Sequence, residues 1–371
     1  MNTEVKGSRA VSGLIPLRGR GAAYNPPNRF EPVEFVPDGD TLDADLAEDE
    51  LPLPRTQFLK DTTKTILARN DSPDIGFNVS INPYRGCEHG CIYCYARPFH
   101  EYLGMSAGVD FETKILVKQD APELLRRELQ KKSYEPEVIA ISGVTDPYQP
   151  VERRLRITRQ CLEVLATFRN PAGIITKNHL VTRDIDILAD MAAWNGIAVN
   201  LSITTLDAGL QRVMEPRTSI PARRLQAVEK LAAAGVPVGI MVAPVVPGIT
   251  DEEIGDILKA ARDAGAQWAG WVMLRLPHAV APLFEDWLTH HYPDRKEKVL
   301  NRVRSMRGGK LYDSKWGERG RGTGEFADQV GGLFRAARRK AGYDDERRPA
   351  LSTAAFRRPH PHGQLGMFDE G

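Results

Sequence analysis

Cys87, Cys91 and Cys94 crowd into eight positions of a 371-residue chain that has four cysteines in all. Their segment, Asn82-Pro83-Tyr84-Arg85-Gly86-Cys87-Glu88-His89-Gly90-Cys91-Ile92-Tyr93-Cys94-Tyr95, has the spacing C-x3-C-x2-C. Three thiolates this close can wrap one small metal centre, and Gly86 and Gly90 permit the turns that bring sulfurs to it from one side. An iron-sulfur cluster used for electron transfer takes four protein thiolates. The fourth cysteine, Cys161, belongs instead to the run Ile157, Cys161, Val164, Leu165, Phe168, whose helical spacing makes it a small buried hydrophobe. A cluster on the loop would therefore keep one iron open. The other reading of the same thiols is a zinc site completed by His89 or His100, although zinc modules usually pair two ligand knuckles and this chain has one.

Other polar residues gather where apolar runs end. Ser142-Gly143-Val144-Thr145-Asp146-Pro147-Tyr148-Gln149-Pro150-Val151-Glu152 is dense in hydrogen-bonding groups and turn formers, as a ligand loop is. Lys177, in Thr176-Lys177-Asn178, can neutralise a carboxylate in a low-dielectric site. Asn200, Ser202 and Thr204 alternate along one face, suited to hydrogen bonding a ligand.

Repeated β-α units are expected to position these residues. Short β-branched runs predict strands at 77–81, 138–141, 173–176, 198–203, 236–243 and 268–274, separated by amphipathic stretches. Helices are expected at 121–131, with Asp120 as N-cap, and at 251–264, with Thr250 as N-cap and Gly265 as stop. The fold class is α/β: a partial TIM-like (β/α)6 barrel over 76–282, which places chemistry in loops after the strands. Residues 1–75 read as an irregular N-terminal extension, 283–343 as a basic helical C-terminal region and 344–371 as a flexible tail.

Composition sets bounds on the setting. Apolar residues make up 42%, charged residues 27%, and the net charge is +1, ordinary for a globular protein and against a globally basic nucleic-acid binder. Four cysteines are too few for a disulfide framework, so a reducing, cytoplasmic setting is expected. Residues 1–16 lack a charged segment followed by an apolar run, and nowhere do eighteen apolar residues run together, so neither secretion nor a membrane partner is expected.

The cysteine loop resembles the signature of the radical S-adenosylmethionine (radical SAM) superfamily. Within it the chain is most similar to the spore photoproduct lyase-like, DNA repair photolyase-related branch. That likeness rests on RGRGAAYNPP at 18–27, Arg29-Phe30, NDSPDI at 70–75, the cysteine loop through Gly104, TDPYQPVE at 145–152, Glu215-Pro216-Arg217-Thr218 and Arg224-Leu225. The resemblance implies a [4Fe-4S] cluster on Cys87, Cys91 and Cys94 and S-adenosyl-L-methionine as second cofactor. A 5'-deoxyadenosyl radical made from it would abstract hydrogen from a substrate. It further implies Ser142, Thr145 and Asp146 at the methionine amino group and Tyr93 beside the adenine; the strand-end readings then place Lys177 at the methionine carboxylate and Ser202 at ribose or methionine. Tyr95 is the candidate for relaying a hydrogen atom. Spore photoproduct lyase uses a further cysteine as hydrogen donor near the loop after the second strand, where this chain has Ser142-Gly143.

Partners follow from the chain's end. From 291 to 360 there are eighteen Lys or Arg against nine Asp or Glu, with Arg302, Arg304, Arg307, Lys310, Arg335, Arg338, Arg339 and Lys340 near Tyr312, Trp316 and Phe334. This pattern suits DNA or RNA, for repair or modification. Gln364-Leu365-Gly366-Met367-Phe368 resembles the peptide by which bacterial repair proteins bind the sliding clamp, with Leu365, Met367 and Phe368 filling a groove and Gln364 anchoring the end. The chemistry also calls for an electron donor such as flavodoxin or ferredoxin. Two further readings are a radical enzyme acting on a protein or small metabolite, and a metal-cluster binding module without turnover.

Overall fold

Apolar runs too short for a helix find partners side by side instead. The computed structural model describes residues 17–31, 54–343 and 349–359. Ten strands form: β1 (Gln57–Lys60), β2 (Leu67–Arg69), β3 (Val79–Ile81), β4 (Tyr84–Arg85), β5 (Lys114–Val117), β6 (Ile139–Ile141), β7 (Ala172–Thr176), β8 (Ile197–Ser202), β9 (Val238–Val245) and β10 (Ala269–Met273). Seven make one sheet in the order β10-β9-β8-β7-β6-β3-β2. Six of these run parallel, and β2 joins the edge antiparallel to β3. β3, β6 and β8 are buried at every position, as parallel strands covered on both faces are. All six expected strands are present, each within two residues of its expected bounds.

Among the described residues β10 and β2 do not pair, so the sheet stays open. The segment 314–321 reaches both edges. Gly320 O accepts from Met273 N at 2.9 Å, while Asp74, between β2 and β3, accepts from Gly317 N at 2.6 Å and from the Arg319 guanidinium.

Helices cover the outside. Ile157–Phe168, between β6 and β7, turns Ile157, Cys161, Leu162, Val164, Leu165 and Phe168 into the core, each apolar side chain worth about 1.5–3 kcal/mol on full burial. Cys161 is fully buried there, as its spacing predicts.

Two expected caps differ. Asp120 precedes Ala121–Gln130 without a side-chain cap bond. Thr250 Oγ1 accepts from Val246 N at 2.9 Å, so it closes the preceding turn rather than capping Ile254–Asp263. Gly265, at φ +100°, does stop that helix.

The extensions carry more structure than expected. Within the segment read as irregular, β1 pairs with β5 and β2 with β3; β1 is exposed throughout, so it lacks the apolar alternation that would reveal it. The basic region is helical at Val280–His291, Lys296–Ser305 and Glu325–Lys340. Residues 349–359, expected to be part of a flexible tail, dock: Ser352 N bonds Asn195 O at 3.0 Å and Arg357 N bonds Phe168 O at 2.9 Å. Phe356 supplies the anchor, 5.7 Å from the Tyr134 ring and 6.5 Å from that of Phe168. No helix among the described residues is long and apolar enough to cross a membrane.

Candidate active site

The cysteine loop starts from a clamped stem. β4 pairs antiparallel with β5, Tyr84 opposite Val117 and Arg85 opposite Leu116, and Cys87 N then donates to Phe111 O at 2.9 Å. Gly86 and Gly90 turn at φ +78° and +66°, where a side chain would be strained. Cys87 and Cys91 are buried, Cys94 is partly exposed, and none is in a disulfide.

Arg97, fully buried, holds this loop from behind. Its guanidinium donates to Gly90 O at 3.2 Å, Cys91 O at 3.0 Å, Ala107 O at 3.1 Å and Gly108 O at 3.0 Å, and pairs with Glu112 at 2.5 Å. Glu112 in turn accepts from Gly21 N at 3.0 Å and Ala22 N at 2.9 Å. The RGRGAAY segment is thereby laced beneath the cysteines so closely that a Cβ on Gly21 would lie 1.8 Å from Gly90 O.

Burial pushes all three thiols up, with Asp146 adding to the shift at Cys87 and Glu215 at Cys91; the backbone N–H groups of Asp146 and Ala96, aimed at Cys87 and Cys94, oppose it. Thiolates buried near carboxylates are unfavourable until a metal centre supplies positive charge. Three such thiols with N–H groups directed at two of the sulfurs fit an iron-sulfur cluster. Among the described residues no three His, Cys, Asp or Glu side chains converge as ligands of a single ion. His89 is engaged at both nitrogens, Nδ1 lying 3.3 Å from Asp146 Oδ2 and Nε2 3.0 Å from Asn178 Nδ2. His100 packs edge-on against Phe111.

The loop after β6 is fixed from several sides. Asn82 Oδ1 accepts from Val144 N at 3.1 Å and Thr145 N at 3.3 Å. Thr145 is turned inward, its hydroxyl donating to Tyr84 O at 3.0 Å. Asp146 accepts from Thr176 Oγ1 at 2.7 Å, Tyr148 N at 2.9 Å and Lys177 N at 2.8 Å. Burial opposes its charge, but His89 and these donors hold the carboxyl below the usual range. Ser142 sits at φ +146° with its hydroxyl 3.4 Å from Thr145 O. Gln149 ties this loop to the cysteines, donating to Gly86 O at 3.2 Å and accepting from Glu88 N at 2.9 Å.

Lys177 leaves the end of β7 and enters a buried polar cluster. Its ammonium donates to Ser202 Oγ at 2.7 Å, Thr204 Oγ1 at 3.1 Å and Ala243 O at 2.8 Å, and lies 3.2 Å from Glu215 Oε1. Glu215 also binds Tyr93 OH and the buried Arg224 guanidinium. Burial would raise the Glu215 carboxyl, yet Arg224 and Lys177 hold it well below the usual range. Two cations against one carboxylate leave one net positive charge at the strand ends, an arrangement suited to an anionic ligand group.

The structure thus brings Tyr93, Lys177 and Ser202 together and sets Asp146 beside Cys87. Thr145 stands behind the loop. Tyr95 is 43% exposed next to Cys94, its hydroxyl donating to Gly143 O at 2.5 Å and its ring 5.0 Å from the Arg275 guanidinium. Sequence reasoning gave no role to Glu215, Arg224, Asn82 or Arg97; the EPRT motif was the available signal for Glu215. Of the basic residues read as a nucleic-acid patch, Arg302 pairs with Asp251 at 3.4 Å, and the helix bearing Arg335 to Lys340 packs along Ile254–Asp263, outside the strand ends. Gln364, Leu365, Met367 and Phe368 lie outside the described residues.

The sequence profile described as Radical SAM superfamily matches residues 81–261. An uncharacterized protein of Mycobacterium tuberculosis is 36% identical over 232 residues, 62% of this chain and 67% of its own. One of Methanocaldococcus jannaschii is 26% identical over 244 residues, 62% and 82%. Among solved structures, spore photoproduct lyase complexed with dinucleoside spore photoproduct superposes with a TM-score of 0.56 at 18% identity, covering 77% of this chain and 79% of that one. A mutant of that enzyme with bound AdoMet and the same dinucleoside gives 0.54 at 18% identity over the same shares. At that identity the likeness is one of fold.

Proposed function

Because this chain belongs to the radical SAM superfamily, we propose that it is a radical SAM enzyme whose substrate is a nucleic acid, in a repair or modification reaction. When bound, a [4Fe-4S] cluster with one iron free of protein thiolate supplies the electron that cleaves S-adenosyl-L-methionine to methionine and a hydrogen-abstracting 5'-deoxyadenosyl radical.

The chain's own residues have separable tasks in this reading. Cys87, Cys91 and Cys94 hold the cluster, giving up protons as it binds, and the Asp146 and Ala96 N–H groups stabilise the sulfur charge. Lys177 faces the methionine carboxylate, with Glu215 and Arg224 fixing its position. Ser142 and the carbonyls of its loop accept from the methionine amino group, while Thr145 and Asp146 keep that loop in place. Tyr93 supports the adenine side with its hydroxyl locked on Glu215, Ser202 orients Lys177, and Tyr95 is placed to relay a hydrogen atom. Electrons come from a flavodoxin or ferredoxin, and Gln364 to Phe368 recruit a sliding clamp.

The observation that carries the reading is the convergence, at the C-terminal ends of parallel strands, of three thiols, two of them buried and one partly exposed, and a polar cluster of net charge +1. The nucleic-acid half is tested with deuterium at the 5' position of the cofactor or in the nucleic acid. Either label moving into added DNA or RNA, where hydrogen is returned, or 5'-deoxyadenosine gaining deuterium from deuterated DNA or RNA, where the cofactor is consumed, is expected; no exchange in either direction would count against it.

A further inference from the structure

Six aromatic rings are exposed among the described residues, and four of them, Tyr95, Phe99, Tyr102 and Phe30, lie on one strip beside the cysteine loop. The Tyr102 ring stacks on Phe30 at 4.7 Å and lies 6.4 Å from Phe99. At the other end Tyr95 lies against Arg275, which follows β10. His278, three positions further on, lies 6.2 Å from the Tyr312 ring, and burial first and the Arg29 charge second hold its imidazole below the usual range.

Only part of the charge along the strip is paired. Arg29 covers Phe30 at 5.0 Å and is paired with Glu101 at 2.7 Å. Arg275 and Arg307 have no carboxylate within ion-pair distance among the described residues, and the Nε of each is buried without a partner. Arg307 is 3% exposed and donates to Leu274 O at 2.8 Å, the carbonyl just before Arg275, so the two guanidinium groups share one stretch of backbone. Neighbouring cations with unsatisfied donors are completed by an anion with several acceptor oxygens, as a phosphodiester has.

Exposed rings beside unpaired arginines match one class of ligand. Bases of a single strand stack on aromatic faces whatever their sequence, whereas a duplex hides those faces in its own stack. We propose that this strip binds single-stranded nucleic acid, its bases stacking on Tyr95, Phe99, Tyr102 and Phe30 and its phosphates held by Arg275, with the buried Arg307 adding positive charge behind it, so that an unpaired nucleotide is delivered to the strand ends. The proposal rests on the nucleic-acid reading above and adds the surface and the strandedness.

The test uses the full-length, cluster-loaded protein and fluorescence anisotropy with labelled DNA and RNA of about twelve nucleotides, single-stranded and duplex. Single strands bind at least tenfold tighter than duplexes of the same length. The double variant Phe99→Ala, Tyr102→Ala loses tenfold or more of single-strand affinity, and Arg275→Ala lowers the slope of log affinity against log salt by about 0.7. Iron per chain stays at the parent value in each, which separates lost contacts from lost fold. Equal binding of duplex, or variants that bind single strands as the parent does, would overturn the proposal. Variants that keep nucleic-acid affinity but take electrons more slowly from reduced flavodoxin would overturn it too, giving the strip to a protein partner. Tight single-strand binding without deuterium transfer would leave the strip standing while the reaction proposed above fails; deuterium transfer unaffected by the strip variants would sink the strip alone.

Discussion

The Lys177 ammonium lies 3.2 Å from the Glu215 carboxylate, joining the end of β7 to the loop after Ala208–Met214. Three chain segments meet there, because Arg224, from the helix Pro221–Ala233, binds the other carboxylate oxygen. In the proposed reaction Lys177 faces the ligand and Glu215 supports it. Lys177→Met leaves Glu215 with Arg224 and is expected to weaken S-adenosylmethionine binding tenfold or more, read by equilibrium dialysis, with iron content unchanged. Glu215→Gln strands the buried Arg224 and the partly buried Lys177 and is expected to cost about 3–5 kcal/mol in denaturant unfolding. Equal stability losses with unchanged cofactor affinity in both variants would make the pair merely structural.

His100 gives stability a pH dependence of known sign. It is buried, and burial lowers its pKa from 6.5 to about 4, with Asp110 opposing that shift. Between these values the unfolded chain binds more protons than the folded one, so stability falls as pH drops from 6.5 toward 4, by roughly 3 kcal/mol in all. Glu215 is likewise depressed, so its contribution is present above about pH 4.5 and lost below. Denaturant titrations of His100→Phe should flatten the profile between pH 6.5 and 4; an unchanged slope would refute the assignment.

Arg97 and Gly21 brace the cysteine loop from opposite sides of Glu112. Arg97→Leu removes five hydrogen bonds and leaves Glu112 buried without its charge partner, and iron and sulfide per chain should fall by more than half. Gly21→Ala forces the N-terminal segment away from Gly90 and should cost about 1–3 kcal/mol, as overpacking does. Normal cluster loading in both would show that the loop needs no brace.

Much of this site was legible because chemistry and spacing coincide. The six parallel strands stood out as β-branched runs, and the cysteine loop followed the first of them. Lys177 and Ser202 were readable as polar residues at strand ends. Glu215 was not, since its meaning depends on two cations, 38 residues upstream and 9 downstream, that only the fold brings to it. β1 and β2, at four and three residues, carry too little pattern to announce a partner ten or more positions away. The docking of 349–359 combines one ring, Phe356, with backbone bonds from Ser352 and Arg357, in a stretch whose composition reads as tail.

Tyr95 holds Gly143 O from the position after Cys94. Tyr95→Phe keeps the ring and removes the oxidisable phenol. Cofactor cleavage without substrate should match the parent, while hydrogen return to substrate falls tenfold or more, read as 5'-deoxyadenosine formed per product. An unchanged ratio would remove Tyr95 from the hydrogen path.

The central claim is that Cys87, Cys91 and Cys94 carry a cluster that splits S-adenosylmethionine. Anaerobic reconstitution with iron and sulfide, followed by dithionite and the cofactor, tests it by quantifying 5'-deoxyadenosine. The account predicts its formation by the parent chain and its loss in each of Cys87→Ala, Cys91→Ala and Cys94→Ala, with Cys161→Ala retaining it. A colourless protein that takes up zinc in place of iron and forms no 5'-deoxyadenosine would contradict it.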